Sequence, residues 1–256
     1  MVRSASSRCS LCREETDLIG SHIIPDFMWK RVYDDGHKII ALGSKQKATR
    51  FQQGIREQMM CSDCDNGILN RHYERPSVSA WRTLAGTDLD PNIQGARLIG
   101  PTGREFLTFS GLDYRSIKLL MLSILWRAAV STHDAFSQVN LGDDLQEELR
   151  AMILDGAPGS PDRFPFILYR LEKPFDGITM PTKEVLPSGA TVITLVLTSL
   201  VASFYLPELP RPEIAEFYSV TEGGTIRLLV MPIEEFGGAK AMMDLVESSE
   251  IPERWL

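Results

Sequence analysis

Every cysteine of the chain falls in one of two Cys-x-x-Cys pairs, Cys9-Ser-Leu-Cys12 and Cys61-Ser-Asp-Cys64. Each pair places two sulfurs on one tight turn. Two such turns supply the four thiolates of a closed tetrahedral zinc site. The 48 residues between Cys12 and Cys61 are long for a simple ribbon, so a loop insertion is expected inside the metal frame. With Cys9, Cys12, Cys61 and Cys64 all ligating, no position stays open for substrate, and the zinc is structural. Between the pairs stands Ser21-His22-Ile23-Ile24-Pro25. A neutral imidazole accepts a proton near neutral pH, so His22 is a candidate base. The competing reading is a satisfied histidine that pins a strand of the zinc region.

Ser21-His22-Ile23-Ile24-Pro25 resembles the first segment of HNH (ββα-metal) nucleases, usually Asp/His-His-Ile-x-Pro followed downstream by Cys-x-x-Cys-His/Asn. The likeness covers residues 9–75 and looks like an HNH module in a four-cysteine, treble-clef setting. Gln53–Cys61 and Leu122-Ser-Ile-Leu-Trp-Arg-Ala128 are similar to an uncharacterised bacterial group of HNH-like proteins, which brings no known activity.

The resemblance implies a metal-dependent cleavage of DNA, with a phage-defence role as its biological setting. His22 then takes a proton from water, while Mg2+ or Mn2+ holds the scissile phosphate and stabilises the leaving oxygen. Ser21 stands where the first metal ligand is expected, and its neutral hydroxyl is a weak ligand for a hard cation. Arg56 stands where an asparagine would orient the base, with Gln53 and Gln58 as substitutes. Asp65, Asn66 and Glu74 are the candidate ligands of the divalent ion. Each has a plainer reading: Asp65 and Asn66 cap the helix after the cysteines, and Glu74 pairs with Arg71 or another basic neighbour. The alternative function is a degenerate zinc module that binds nucleic acid or a partner protein without cleaving.

The elements that must position these groups are legible in outline. Residues 1–8 are polar and expected to be disordered, residues 9–84 form the zinc module, 85–95 a linker, and 96–256 an α+β body. A helix is expected from Ile68 to about Leu84, kinked or split by Pro76. Arg97–Gly100 and Arg104–Phe109 alternate about Pro101-Thr102-Gly103 as a hairpin. Tyr114–Thr132 is apolar almost all round and reads as a central buried helix. Asp143–Asp155 reads as an amphipathic helix stopped by Gly156. Phe164–Leu171, Thr191–Leu206, Glu216–Thr221 and Thr225–Met231 read as strands, largely antiparallel, and Glu234–Val246 as a terminal helix. The fold class is therefore α+β, an HNH-like zinc module followed by a mixed body.

Charge narrows the partners. Residues 1–82 carry 13 Lys and Arg against 10 Asp and Glu, a balance of +3, while the remainder carries 14 against 24, a balance of −10. Only the cysteine region suits a polyanion, and DNA would meet Lys38, Lys45, Lys47, Arg50, Arg56 and Arg71. The acidic body suits a protein partner or a second copy of the chain. Phe51, Tyr33 and Trp29 either pack beneath the basic loop or stack on bases. No apolar run approaches the roughly 18 residues of a membrane span, and the first eight residues hold no signal-peptide pattern. A cytoplasmic setting follows, where paired cysteines favour metal over disulfides. His37 and His72 are expected at the surface, and His133 at the C-terminal end of the buried helix. Asp143, Asp144, Glu147 and Glu148 read as a solvated helix face. Leu171 occupies the acidic position that a restriction-type core around Asp162 and Lys173 requires, which rules that core out. Neither a Walker loop nor a dinucleotide fingerprint is present.

Overall fold

A computed structural model describes residues 7–33, 39–42, 48–51, 54–100, 103–173, 177–206 and 217–236, with backbone only for 39–42 and 48–51. The N-terminal part opens with two short strands, β1 (Ser7–Arg8) and β2 (Glu15–Thr16), paired antiparallel. It continues with β3 (Leu18–His22), the single turn α1 (Asp26–Trp29), the ladder of β4 (Ile39–Leu42) with β5 (Ala48–Phe51), and β6 (Arg56–Cys61). β3 and β6 are sequence-distant but pair antiparallel, bringing the second cysteine pair back beside the first.

A helix follows without a break. Asp63–Glu74 is wound wide, with the Arg75 N–H donating to Asn70 O, five residues back. It tightens into α2 (Arg75–Ala85). Pro76 lies where the wide turns give way to α2, so its missing N–H falls at the change of hydrogen-bonding pattern. The kink expected at Pro76 is thus a change of pitch. Gly86 ends α2 at φ 65°, a left-handed value that glycine adopts freely.

The body is a seven-stranded sheet in the order β10-β11-β12-β9-β13-β8-β7. Its strands are β7 (Gln94–Ile99), β8 (Glu105–Ser110), β9 (Phe166–Leu171), β10 (Thr182–Val185), β11 (Thr191–Leu197), β12 (Leu200–Leu206) and β13 (Ile226–Met231). All neighbours are antiparallel except β13 and β9. Mixed α+β with antiparallel strands is therefore the observed class. Two helices accompany the sheet, α3 (Tyr114–Val130) and α4 (Asp143–Asp155).

α3 is the centre of the molecule. Ser116 to Ala128 are all buried, and one hydrophobic cluster joins them to Leu69 and Trp81 on one side and to Phe166, Leu168 and Ile193 of the sheet on another. The core thus runs across the linker expected at 85–95. Lys118, a buried cation of α3, donates to Arg163 O and Phe164 O at 2.8 and 2.9 Å, which meets the demand of a charge away from water.

Several expected elements differ. Ser7 and Arg8 are in a strand, and residues 1–6 lie outside the described residues. Thr191–Leu206 is a hairpin, turned at Thr198 with φ 61°. Phe217–Tyr218 is helical instead of a strand, and its rings pack on Phe106 and on each other. At the C-terminus only a 3-10 turn, Ile233–Glu235, falls among the described residues, and 237–256 lie outside them. At the end of α3 it is the His133 backbone N–H, donating to Ser131 Oγ at 3.1 Å, and not the imidazole that makes the bond. Its Nδ1 instead accepts from Ala135 N and opens the next turn.

Candidate functional site

The turn between β1 and β2 carries Cys9 and Cys12. Arg13 closes it at φ 67°, donating its N–H to Cys9 O, while Cys9 N donates to Glu14 O, both at 2.9 Å. Cys61 ends β6, and Cys64 lies in the first turn of the following helix. Ser10 N donates to Met59 O at 2.9 Å, which draws the two turns together. All four sulfurs lie within 4.8 Å of one another, positioned to hold a metal ion. The Cys12 and Cys61 sulfurs are 3.9 Å apart. A tetrahedron of zinc–sulfur bonds spaces its sulfurs by about 3.8 Å, so the donor set fits structural zinc.

Their surroundings affect the thiols unequally. Burial opposes ionisation of Cys9, but backbone N–H groups of Cys61, Cys12 and Leu11 outweigh it and hold the thiol at about 7. Burial pushes the Cys64 thiol up, and the adjoining sulfurs push it further. Four thiolates this close repel one another until a cation sits among them.

The body grips this cysteine turn directly. Arg150 of α4 donates to Leu11 O at 2.5 Å, and Glu147 of α4 is shared by Arg150 and Arg13.

His22 ends β3, directly across from Arg56 of β6. Arg56 Nε donates to His22 Nε2 at 2.9 Å, so the imidazole proton sits on Nδ1. Asp26 Oδ1 is 3.6 Å from the same Nε2 and accepts from the Tyr33 hydroxyl at 3.0 Å. Burial lowers the His22 pKa to about 4, assisted by the charges of Arg56 and Arg127 and opposed by Asp26. His22 is therefore neutral at pH 7, with its lone pair aimed at a guanidinium.

Behind the histidine lies Arg127 of α3, only 1% exposed. Its Nη1 donates to His22 O at 2.7 Å and to Glu74 Oε1 at 2.9 Å. Its Nη2 and Nε bond Ser123 Oγ and O at 3.1 and 3.2 Å. Glu74 is thus brought to the backbone of His22, by an arginine far along the chain and not by Arg71. Asp65 is half-buried near the start of the helix, and exposed Asn66 donates to Ser62 Oγ. Neither has a described contact with His22. Among the described residues, the four cysteines are the one group of three or more His, Cys, Asp or Glu placed to share an ion, so His22, Asp65 and Glu74 form no such group. Ser21 is fully buried, and its Oγ has no hydrogen-bond partner.

Arg71 and His72 are exposed on the helix. The side chains of Lys38, Lys45, Lys47, Arg50, Phe51, Gln53 and His37 lie outside the described residues. Trp29 packs flat on Gly54 and donates to Ile24 O at 3.0 Å, so it is a core residue and not a stacking platform. Sequence reading missed Asp26 and Arg150, which carry no motif, and weighed Tyr33 only as a packing or base-stacking residue and not as the partner of Asp26. Arg127 entered as one residue of the Leu122–Ala128 resemblance and as the charge within the apolar stretch Tyr114–Thr132, without a partner assigned to it. A buried charge demands a partner, and that was the available signal. No family model matches the chain, and no curated protein or solved structure gives a significant match.

Proposed function

We propose that the chain is a zinc-scaffolded, HNH-type nuclease that cleaves DNA with a divalent cation. One observation carries this reading. The antiparallel ladder β3–β6 runs straight into a helix, with His22 on the first strand and the four cysteines at the root of the ladder. Two strands and a helix bearing a histidine are the layout that the ββα-metal resemblance calls for. Zinc at Cys9, Cys12, Cys61 and Cys64 fixes the scaffold in a reducing, cytoplasmic setting. His22 is the base, neutral at pH 7 as a base must be, and Arg56 must leave its Nε2 for the phosphate before it can act. Arg56 contacts the phosphate, together with the basic residues 38–50. Mg2+ or Mn2+, when bound, supplies charge for the leaving oxygen. Asp65, Asn66 and Glu74 are the side chains offered to it, and Glu74 must leave Arg127 to serve. The acidic body recognises a protein partner or a second copy, and the defence role follows the bacterial resemblance.

A second reading, a zinc module that binds nucleic acid or a partner without cutting, has its own support. Ser21 is sealed from solvent, Arg56 occupies the lone pair of His22, and Glu74 is ion-paired. Plasmid incubated with the purified chain and Mg2+ or Mn2+ separates the two. Metal-dependent nicking that disappears in His22→Ala is expected. Binding without nicking under every metal establishes the second reading, and nicking retained by His22→Ala removes His22 as the base.

A further inference from the structure

Between α1 and the C-terminal end of α2 the surface opens into a pocket of about 340 Å³, within the size range of small-ligand sites. Lys30, Arg31 and Arg82 line it, and Asp88 is the one acidic residue among its described lining residues. Half-buried Phe27 adds an aromatic surface, and the core residue Trp81 reaches the lining only at its edge. Just behind, Arg170 of β9 presses against Gly86 and donates to Leu84 O at 2.7 Å. Its pKa is lowered by burial and by the charge of Arg31, so two guanidinium groups repel one another at this spot. The last carbonyls of α2 account for Arg170. They do not account for Lys30 and Arg82, which are exposed. Arg82 lies 3.9 Å from Asp88 in an exposed pair, too weak and too long to draw a cation there on its own. A chain of net charge −7 thus gathers four cations around one concavity.

We propose that this pocket binds the phosphate group of a phosphorylated ligand, with Lys30, Arg31 and Arg82 as its counter-charges. A planar base attached to that phosphate would lie along half-buried Phe27. His22 does not line the pocket, so the site stands whether or not the chain cleaves DNA. The phosphate belongs either to a free nucleotide or to the backbone of a nucleic acid, and both present the same oxyanion to the arginines.

Calorimetric titration of the full, zinc-loaded chain tests the proposal, using inorganic pyrophosphate, a 5′-mononucleotide and a short single-stranded oligonucleotide without terminal phosphate. At least one probe is expected to bind, more weakly at higher salt. The double variant Lys30→Gln/Arg82→Gln should weaken binding about tenfold, the equivalent of one lost charge-assisted bond. Asp88→Asn removes the competing carboxylate and should tighten binding about twofold, which a merely structural role for these residues would not produce. Mononucleotide binding without oligonucleotide binding identifies the free ligand, and the converse identifies the backbone. The proposal is overturned if no probe binds at millimolar concentration, or if the double variant and Asp88→Asn both bind as the wild type does.

Discussion

Arg56→Gln should raise the pKa of His22 while leaving its strand in place. The imidazole is held at about 4, against an ordinary 6.5. At 1.36 kcal/mol per unit, that difference favours the neutral ring by about 3 kcal/mol before solvent and flexibility take their share. Burial is the largest cause and survives the substitution, since glutamine is shorter but still polar. The guanidinium charge is the next cause and is removed. A like charge at 2.9 Å shifts a titrating group by about one unit or more, so His22 should move up by about one unit and stop short of 6.5. Asp26→Asn removes the one opposing charge and should move it further down. The chain has only four histidines, so ring-proton or 15N spectra resolve their titrations one by one. The same imidazole has a folded pKa below its unfolded one. The unfolded chain therefore binds the extra proton, and the His22 contribution to stability is lost as pH falls from 6.5 towards 4. A wild-type His22 that titrates near 6.5, or one indifferent to Arg56→Gln, refutes the account.

Arg127→Met should cost about 3–5 kcal/mol in urea unfolding, because it strands Glu74 and His22 O inside the protein. Paired with Glu74→Gln it should cost clearly less than the two separate losses added, and strict additivity would show the pair is not coupled. Ser21→Ala should be neutral or stabilising by about 1 kcal/mol, since it removes a buried hydroxyl without a partner. Ser21→Asp, which restores an acidic ligand on paper, should lower Tm sharply because it buries a charge in a sealed site. Metal analysis should return one zinc per chain, and chelation or Cys64→Ser should unfold the N-terminal strands with a large loss of Tm. A chain retaining its Tm without zinc would remove the metal from the account of the fold.

The sequence announced most firmly what rests on local pattern. Asp143–Asp155, with its acidic start and its glycine stop, is found with those bounds. Tyr114–Val130 is the buried helix its composition requires, and the four cysteines meet as their spacing implies. What stayed hidden depends on contacts between distant residues. Nothing local in Phe217–Tyr218 reveals that their rings pack on Phe106. Glu74 looked like half of a pair within its own helix, but its partner is 53 residues away on α3. His22 was visible as a residue type in a motif. Whether its lone pair faces water or a guanidinium depends on the register of β3 against β6, which no short window encodes.

The hold of the body on the N-terminal part bears on how the chain would respond to cutting. Arg150 grasps the cysteine turn, Arg127 the end of β3, and Ile153 O accepts from the Tyr73 hydroxyl at 2.6 Å. The exposed stretch from Thr87 to Leu89 joins the two parts covalently but adds none of those grips. A protease nick there should therefore yield two fragments that travel together through gel filtration. Neither piece, expressed alone, has the other's surface to fold against. Mixed as unfolded halves with metal present, they should reassemble, so the connection at 87–89 behaves as a tether between complementing fragments.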